Sequence, residues 1–294
     1  MKNRIALVTG AGGFTGKYVV EALSCAGYSV IAWSHDDAST GTATGVDLCD
    51  PHGISSALTD IDPDVVIHLA AVSFVGHSDI EEMYRVNIIG TRNLLKALAE
   101  KKTGPSRVIL AGTANIYGNV EGIIGEDATP SPQNDYAVSK LAMESMAKLW
   151  ANDLNITVVR PFNYTGVGQS ERFLVPKIVS HFKRRAPILE LGNIDVIRDF
   201  NDVRNVAKVY VDLAHDGERW ETLNVCTGQE HSIRDILSML EDITGFMPEI
   251  TVNANFVRSN DVKRLVGDPA RLKARLGQSL EFSMAETLRW MVEA

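Results

Sequence analysis

Short apolar runs alternate with longer amphipathic stretches through the first half of the chain. The runs have strand length and are apolar almost throughout, which is typical of parallel strands covered on both faces by helices. They lie at Arg4–Thr9, Ser29–Trp33, Val65–Leu69, Arg107–Ala111 and Ile156–Arg160. The amphipathic stretches lie near Gly13–Ala26, Pro51–Asp60, Asp79–Lys101 and Tyr136–Asp153. The alternation predicts an α/β fold built on a doubly wound parallel sheet of the Rossmann type.

The pattern is less regular in the second half. Residues 160–169 include Pro161 and Gly168 and predict a loop. A strand is predicted near Ile194–Phe200, and helices near Arg172–Arg185, Val203–His215, Ser232–Gly245, Pro269–Leu276 and Ser283–Val292. We expect a larger lobe over residues 1–160, to which 199–226 return, and a smaller α/β lobe over 161–198 and 227–294.

Composition and charge exclude several classes of protein. The 294 residues carry a net charge of −8, which opposes binding to nucleic acid but permits a local basic pocket for a small anion. Cys25, Cys49 and Cys226 are widely spaced, which favours a reduced cytoplasmic protein without a zinc or other metal site. The N-terminus does not resemble a signal peptide, and no apolar run reaches the roughly 18 residues of a membrane span.

A glycine-rich turn joins the first predicted strand to the first predicted helix. Its glycines follow a GxxGxxG spacing rather than GxGxxG. Such glycines allow a tight turn and a close approach of the backbone to a pyrophosphate at the helix N-terminus. A turn without a ligand is the alternative, but the strand and helix around it favour a dinucleotide cofactor. The predicted cofactor contacts are Gly10, Gly12, Gly13, Phe14, Thr15 and Gly16.

The end of the second predicted strand bears on which nicotinamide cofactor binds. Ser34 and His35 offer donors for a 2′-phosphate, which favours NADP, as NADPH, over NAD. Alternatively, His35 lies on the surface and Asp36 binds the ribose hydroxyls of NAD. Asp47 and Leu48, after the third strand, are candidates for the adenine side of the site. An aspartate at 47 that caps the following helix is an equally good interpretation.

The stretch DYAVSK, residues 135–140, contains the candidate acid–base group. Tyr136 and Lys140 are four residues apart, which places both side chains on one face of a helix. A nearby ammonium lowers the pKa of a tyrosine toward the working range of a proton donor. Thr113 follows a neighbouring strand and is placed to bind the substrate oxygen. YxxxK alone occurs by chance in many helices, so its weight comes from the glycine turn and Thr113.

These motifs together resemble the extended short-chain dehydrogenases/reductases that act on nucleotide sugars, over nearly the whole chain. The resemblance implies that Thr113, Tyr136 and Lys140 form the catalytic Ser/Thr-Tyr-Lys set, with Lys140 also bonded to the nicotinamide ribose. It further implies that Leu69, Ala70, Ala71, Asn87 and Phe162 contribute to cofactor binding, alongside Tyr136 and Lys140.

Three later segments resemble those of GDP-mannose 4,6-dehydratases and GDP-4-keto-6-deoxymannose reductases. They are residues 160–169, 192–200 and 258–269, in which Val167 and Ser259 replace prolines of the family. The resemblance implies substrate-binding roles for Asn115, Asn163, Val175, Lys177, Asn193, Arg198, Arg258 and Asp261. Two arginines suit a diphosphate because of their bidentate geometry. Surface ion pairs of Arg198 with Asp199, and of Arg258 with Asp261, are the alternative.

Asn115 separates two activities within this group. Related dehydratases carry a glutamate there that removes a C5 proton, and an amide cannot act as that base. We therefore expect reduction of GDP-4-keto-6-deoxy-D-mannose to GDP-D-rhamnose. The alternative is a nucleotide-sugar 4-epimerase or 4,6-dehydratase with tightly bound NAD(P). A homodimer through a four-helix bundle is also implied, although the apolar positions concerned can equally form internal core. They are Leu94, Leu98, Leu141, Met146 and Leu149.

Overall fold

The computed structural model describes residues 4–35, 43–73, 78–215, 219–253, 262–277 and 281–294. The chain divides into two compact units. The first consists of Met1–Ile116, Pro132–Arg160 and Ala207–Leu223, and the second of Tyr117–Ser131, Pro161–Val206 and Asn224–Ala294. No helix among the described residues has both the length and the apolar character needed to cross a membrane.

The strands are short, and seven of them form one sheet. Their bounds are β1 Ile5–Thr9, β2 Ser29–Ser34, β3 Ala43–Gly45, β4 Val65–His68, β5 Arg107–Ala111, β6 Ile156–Pro161, β7 Asn163–Thr165, β8 Ile188–Leu191, β9 Ile197–Arg198, β10 Phe200–Asp202, β11 Trp220–Val225, β12 His231–Ser232, β13 Glu249–Val252 and β14 Arg264–Leu265. The sheet order is β11-β6-β5-β4-β1-β2-β3. The predicted doubly wound fold is therefore confirmed, and its strand order reverses direction between β1 and β4.

The helices are α1 Phe14–Cys25, α2 Pro51–Ala57, α3 Ile80–Tyr84, α4 Thr91–Ala99, α5 Asp135–Ala147, α6 Leu174–Lys183, α7 Val203–Leu213, α8 Ile233–Thr244, α9 Ala270–Leu276 and α10 Met284–Glu293. The side chain of Asn134 caps α5 by accepting from the Ala137 amide at 2.9 Å. This cap starts the helix directly before Tyr136.

The single helix predicted over Asp79–Lys101 is not a regular α-helix. Asp79 caps α3 through the Glu82 amide at 2.9 Å. The segment Arg85–Gly90 is π-helical, and α4 follows it directly. Apolar periodicity does not distinguish these states because all three segments keep a buried face. π-helical turns occur mostly at functional sites, and this one contains Asn87.

The core of the first unit contains two of the residues considered for a dimer interface. Leu94 and Leu98 are fully buried within the unit, whereas Leu149 is 78% exposed. For Leu94 and Leu98, the structure thus shows the alternative interpretation, internal core. The homodimer itself stays a prediction.

The second unit contains three small sheets, with orders β10-β7, β12-β9-β14 and β13-β8. The prediction of a loop over 160–169 is wrong at β7, which pairs in parallel with β10. The predicted lobe boundaries also place residues 117–131 in the first lobe. In the structure they belong to the second unit, where the Tyr117 hydroxyl donates to Asn224 at 2.8 Å and Ile124 bridges to Gly267.

Candidate active site

The glycine turn lies at the carboxyl end of β1, next to the end of β4. Gly10 has φ of +70°, and a Cβ atom there would lie 2.6 Å from the Ala70 nitrogen. A Cβ atom at Gly16 would lie 2.2 Å from the Gly10 oxygen, so helix and turn are in close contact. Gly13 begins α1, whose first turn has no acidic residue and no side-chain cap. This uncapped, glycine-lined helix start fits the pyrophosphate of a dinucleotide.

A buried chain of neutral hydrogen bonds starts beside this turn. The Ala70 amide donates to Thr9 Oγ1 at 3.3 Å, and Thr9 Oγ1 lies 2.7 Å from His68 Nδ1. On the other side of the ring, His68 Nε2 lies 2.8 Å from Thr91 Oγ1, which donates its proton to the Asn87 carbonyl. Nε2 must therefore carry the imidazole hydrogen, and Nδ1 accepts from Thr9. Burial and the charge of Lys140 lower the pKa of His68 to about 3, so the ring is neutral.

These hydrogen bonds continue to α5, the helix that carries Tyr136. Asn87 exchanges hydrogen bonds with the backbone of Val72, at 2.9 Å and 3.1 Å. Its Nδ2 also donates to Ser139 Oγ at 2.9 Å, and Ser139 donates to the Tyr136 carbonyl at 2.8 Å. We call Thr9, His68, Thr91, Asn87 and Ser139 the neutral network. It joins the ends of β1 and β4 to the first turn of α5.

A second buried group, the charged cluster, consists of Lys140, Glu144 and Arg160. Lys140 Nζ donates to the Ala111 carbonyl at 2.8 Å, which fastens α5 to the end of β5. Burial lowers the pKa of Lys140 to about 8, while the charge of Glu144 opposes this shift. Arg160 donates to both Glu144 oxygens, with the shortest distance 2.7 Å. Burial raises the pKa of Glu144, and Arg160 counteracts the rise.

Thr113 lies just beyond β5 and is buried. Its Oγ1 accepts from the backbone amide of Asn115 at 3.2 Å and from the Asn115 Nδ2 at 3.3 Å. Within the described part of the chain, the Thr113 hydroxyl proton has no acceptor. A hydroxyl that accepts twice from the protein keeps its proton for an external oxygen.

The residues predicted to contact the adenine-ribose end of the cofactor lie around β2 and α2. Ser34 ends β2, and His35, which follows it, is exposed. Asp47 is exposed and accepts from the Cys49 amide at 2.8 Å. The helix-capping interpretation of Asp47 is wrong, because Asp50 is the residue that caps α2. Asp36 falls outside the described residues.

Several predicted substrate residues of the second unit hydrogen-bond to nearby backbone. Lys177 donates through Nζ to the Glu190 carbonyl at 2.8 Å. The Asn193 side chain accepts from a backbone amide two residues later at 3.0 Å. Arg198 donates to the carbonyl of the preceding residue at 2.9 Å. The Asp199 carboxylate is fully buried and accepts hydrogen bonds from Thr227 and Gly228. These bonds hold the backbone at 227–228 in place.

The remaining predicted residues of this unit differ in exposure. Asn163 is exposed in β7, whereas Val175 is buried in α6. Phe162 is buried, and its ring stacks on Tyr117 with centroids 6.2 Å apart. Arg258 and Asp261 lie outside the described residues, so their substrate roles stay predictions.

Five residues around the site were missed by the sequence reasoning: Thr9, Thr91, Ser139, Glu144 and Arg160 in its ion-paired role. Glu144 had a visible signal, since it follows Lys140 by one helical turn. The bond between Thr9 and His68 depends on the pairing of β1 with β4, in which these two residues are direct partners. Across the described residues, no cluster of three or more His, Cys, Asp or Glu could hold a metal ion.

Comparisons with known proteins agree with this geometry. Residues 6–226 match the model of the NAD dependent epimerase/dehydratase family. The chain is 36% identical to a GDP-6-deoxy-D-talose 4-dehydrogenase of Aggregatibacter actinomycetemcomitans and 34% identical to a GDP-6-deoxy-D-mannose reductase of Pseudomonas aeruginosa. Each alignment covers 96% of this chain and 94% of the relative. The structure of RMD from Pseudomonas aeruginosa complexed with NADPH superposes with a TM-score of 0.86 at 32% identity, covering 99% of this chain and 97% of that one.

Proposed function

Since the chain belongs to the NAD dependent epimerase/dehydratase family, we propose that it reduces the C4 ketone of GDP-4-keto-6-deoxy-D-mannose to GDP-D-rhamnose. The observation that carries the proposal is the Thr113 hydroxyl. Asn115 donates to it twice, which leaves its proton for a substrate carbonyl. The relatives named for GDP-linked 6-deoxyhexoses support the choice of substrate class.

When bound at the glycine turn, the cofactor NADPH or NADH supplies the hydride. The protein supplies a proton and holds the developing charge. Thr113 donates a hydrogen bond to the C4 oxygen, and Tyr136 gives its phenolic proton to that oxygen as the alkoxide forms. Lys140 is the buried cation on the same helix face as Tyr136, and its charge stabilises the resulting phenolate.

The same site is poorly suited to 4,6-dehydration. That reaction needs a base for a C5 proton, and the Asn115 amide is a donor to Thr113. Reduction requires no such base. Asn115 thus supports the reductase over the dehydratase on chemical grounds. The proposed preference for NADPH rests on Ser34 and His35 and on the NADPH bound in the RMD structure. The family, by contrast, is described by its dependence on NAD.

A second product is favoured by one relative. GDP-6-deoxy-D-talose, named in the relative with 36% identity, is the C4 epimer of GDP-D-rhamnose. Both sugars derive from the same ketone, and the two products differ only in the face that receives hydride.

The test incubates the purified protein with GDP-4-keto-6-deoxy-D-mannose and either NADPH or NADH. Loss of the reduced-nicotinamide absorbance is expected with wild type, and Thr113→Val serves as a control with a weakened site. No loss with either cofactor would refute the reductase. Proton NMR then identifies the product. A large H3–H4 coupling indicates rhamnose and a small one 6-deoxytalose. Conversion of GDP-mannose or a nucleotide hexose without added cofactor would instead indicate a dehydratase or an epimerase.

A further inference from the structure

The ion pair of Glu144 and Arg160 is buried beside the catalytic strand end. The side chains are only 7% and 11% exposed, and three contacts of 2.7–3.2 Å join them. A Cβ atom at Gly112 would lie 2.5 Å from Glu144 Oε1, so the carboxylate packs directly against the backbone that precedes Thr113. A buried charge pair of this kind costs desolvation energy and contributes little net stability. Net stability alone therefore does not account for this pair.

The Lys140 ammonium is buried and has few partners for its charge. Its one direct acceptor among the described residues is the neutral Ala111 carbonyl. On its own helix it faces Tyr136 one turn earlier and Glu144 one turn later. His68 on β4 is neutral, and Arg160 on β6 is a cation bound to Glu144. Among the described residues, Glu144 is thus the nearby anion whose charge opposes the lowering of the Lys140 pKa by burial.

We propose that Glu144, clamped by Arg160, is a positioning residue that holds Lys140 as a cation against the end of β5. Arg160 fixes both carboxylate oxygens, so the anion stays at one place relative to α5. Without that anion, a buried lysine releases its proton more readily. Tyr136 then loses the cation that stabilises its phenolate. The functional consequence rests on the proposed reduction, whereas the effect on Lys140 does not.

The experiment titrates Lys140 by NMR in protein with ¹³C-labelled lysine. The Lys140 signal is identified by its loss in Lys140→Gln. In Glu144→Gln, we expect the Lys140 midpoint to fall by roughly one pH unit or more relative to wild type. The alkaline limb of kcat should move to lower pH by the same amount. Glu144→Asp, which keeps the charge, should restore both.

Glu100→Gln is the matched control, because it removes a carboxylate from an exposed ion pair with Lys96. It should leave both titrations unchanged. If Glu144→Gln does not fold, the double variant Glu144→Gln/Arg160→Gln also removes the arginine charge that the single substitution leaves unpaired, and the Lys140 midpoint should change in the same direction. An unchanged Lys140 midpoint in either folded variant would overturn the proposal, whatever the effect on turnover. A wild-type protein without turnover would refute the proposed function, and the NMR titration would still decide this proposal.

Discussion

The neutral network and the charged cluster both hold α5 in place, but by opposite physical means. In the neutral network every proton position is fixed by a hydrogen bond, and His68 stays uncharged. In the charged cluster, two cations and one anion are buried together. The protonation of the neutral network does not change near neutral pH. In the charged cluster, the pKa values of Lys140 and Glu144 each depend on the charge of the other residue. The same helix is thus held both by residues that stay neutral and by residues that carry charge.

Removing the hydroxyl of Tyr136, the proposed proton donor on α5, should have the largest effect on turnover. Tyr136→Phe keeps the ring but has no proton to donate, so turnover should fall at least about a hundredfold. Cofactor binding, followed by nicotinamide fluorescence, should persist because the glycine turn is unchanged. Near-normal turnover in this variant would show that Tyr136 is not the proton donor. The two clusters would then have a structural role only.

Breaking the charged cluster should cost the most stability. Arg160→Met leaves the Glu144 carboxylate buried without its partner, which should lower the free energy of unfolding by about 3–5 kcal/mol at neutral pH. Burial already raises the pKa of Glu144, and the loss of Arg160 raises it further. Protonation then relieves the penalty, so the deficit should shrink as the pH falls toward the ordinary glutamate range. Urea denaturation across this range measures it, and an equal deficit at every pH would contradict the charge argument.

The contribution of the neutral network should also decrease as the pH falls, here because of His68 rather than Glu144. The folded protein holds the pKa of His68 at about 3, below its ordinary value of 6.5. The unfolded chain therefore binds the proton more tightly. The stability from neutral His68 is complete above about pH 6.5 and is lost as the pH falls toward about 3. His68→Gln, which cannot take up this proton, should lose less stability on acidification, by about 3 kcal/mol near pH 4. Parallel stability curves for variant and wild type would show that His68 is not held neutral.

An exposed contact on the same helix provides the smallest effect and the baseline. The Tyr84 hydroxyl donates to Asp135 at 3.0 Å at the surface. Tyr84→Phe should change the free energy of unfolding by less than about 1 kcal/mol. A larger loss in urea denaturation would mean that surface bonds of α5 matter as much as the buried clusters.

Much of the first unit could be predicted because its signals are local. The strand Arg107–Ala111 was predicted with the bounds that the structure has, and α5 begins one residue before the predicted Tyr136. The family resemblance is also confirmed by the comparisons. Apolar runs, caps and the glycine spacing all act within a few residues, so they can be read in order along the chain.

The parts that could not be predicted depend on contacts between distant segments. β7 is three residues long and exists through its pairing with β10, some 37 residues later. Arg160 reaches Glu144 only because β6 lies beside β5, against which α5 is fastened. Asn115 was predicted as a substrate residue, and its bonds to Thr113 arise from a tight turn at 114–117. Sequence spacing predicts the reacting groups, whereas the contacts that hold them in place depend on the fold.

The π-helical segment Arg85–Gly90 also constrains which changes of chain length the protein can tolerate. A π-turn accommodates about one residue more than an α-turn. Deleting a single residue there would let the segment wind as an ordinary α-helix, which turns through nearly the same total angle over one residue fewer. The rotation of α3 relative to α4 would then change little, whereas a deletion within either α-helix would rotate the residues on its two sides by about 100°. The surplus residue of the π-helical segment thus absorbs a change of length, so a deletion of half-exposed Ile89 should cost less stability than a deletion inside α3 or α4.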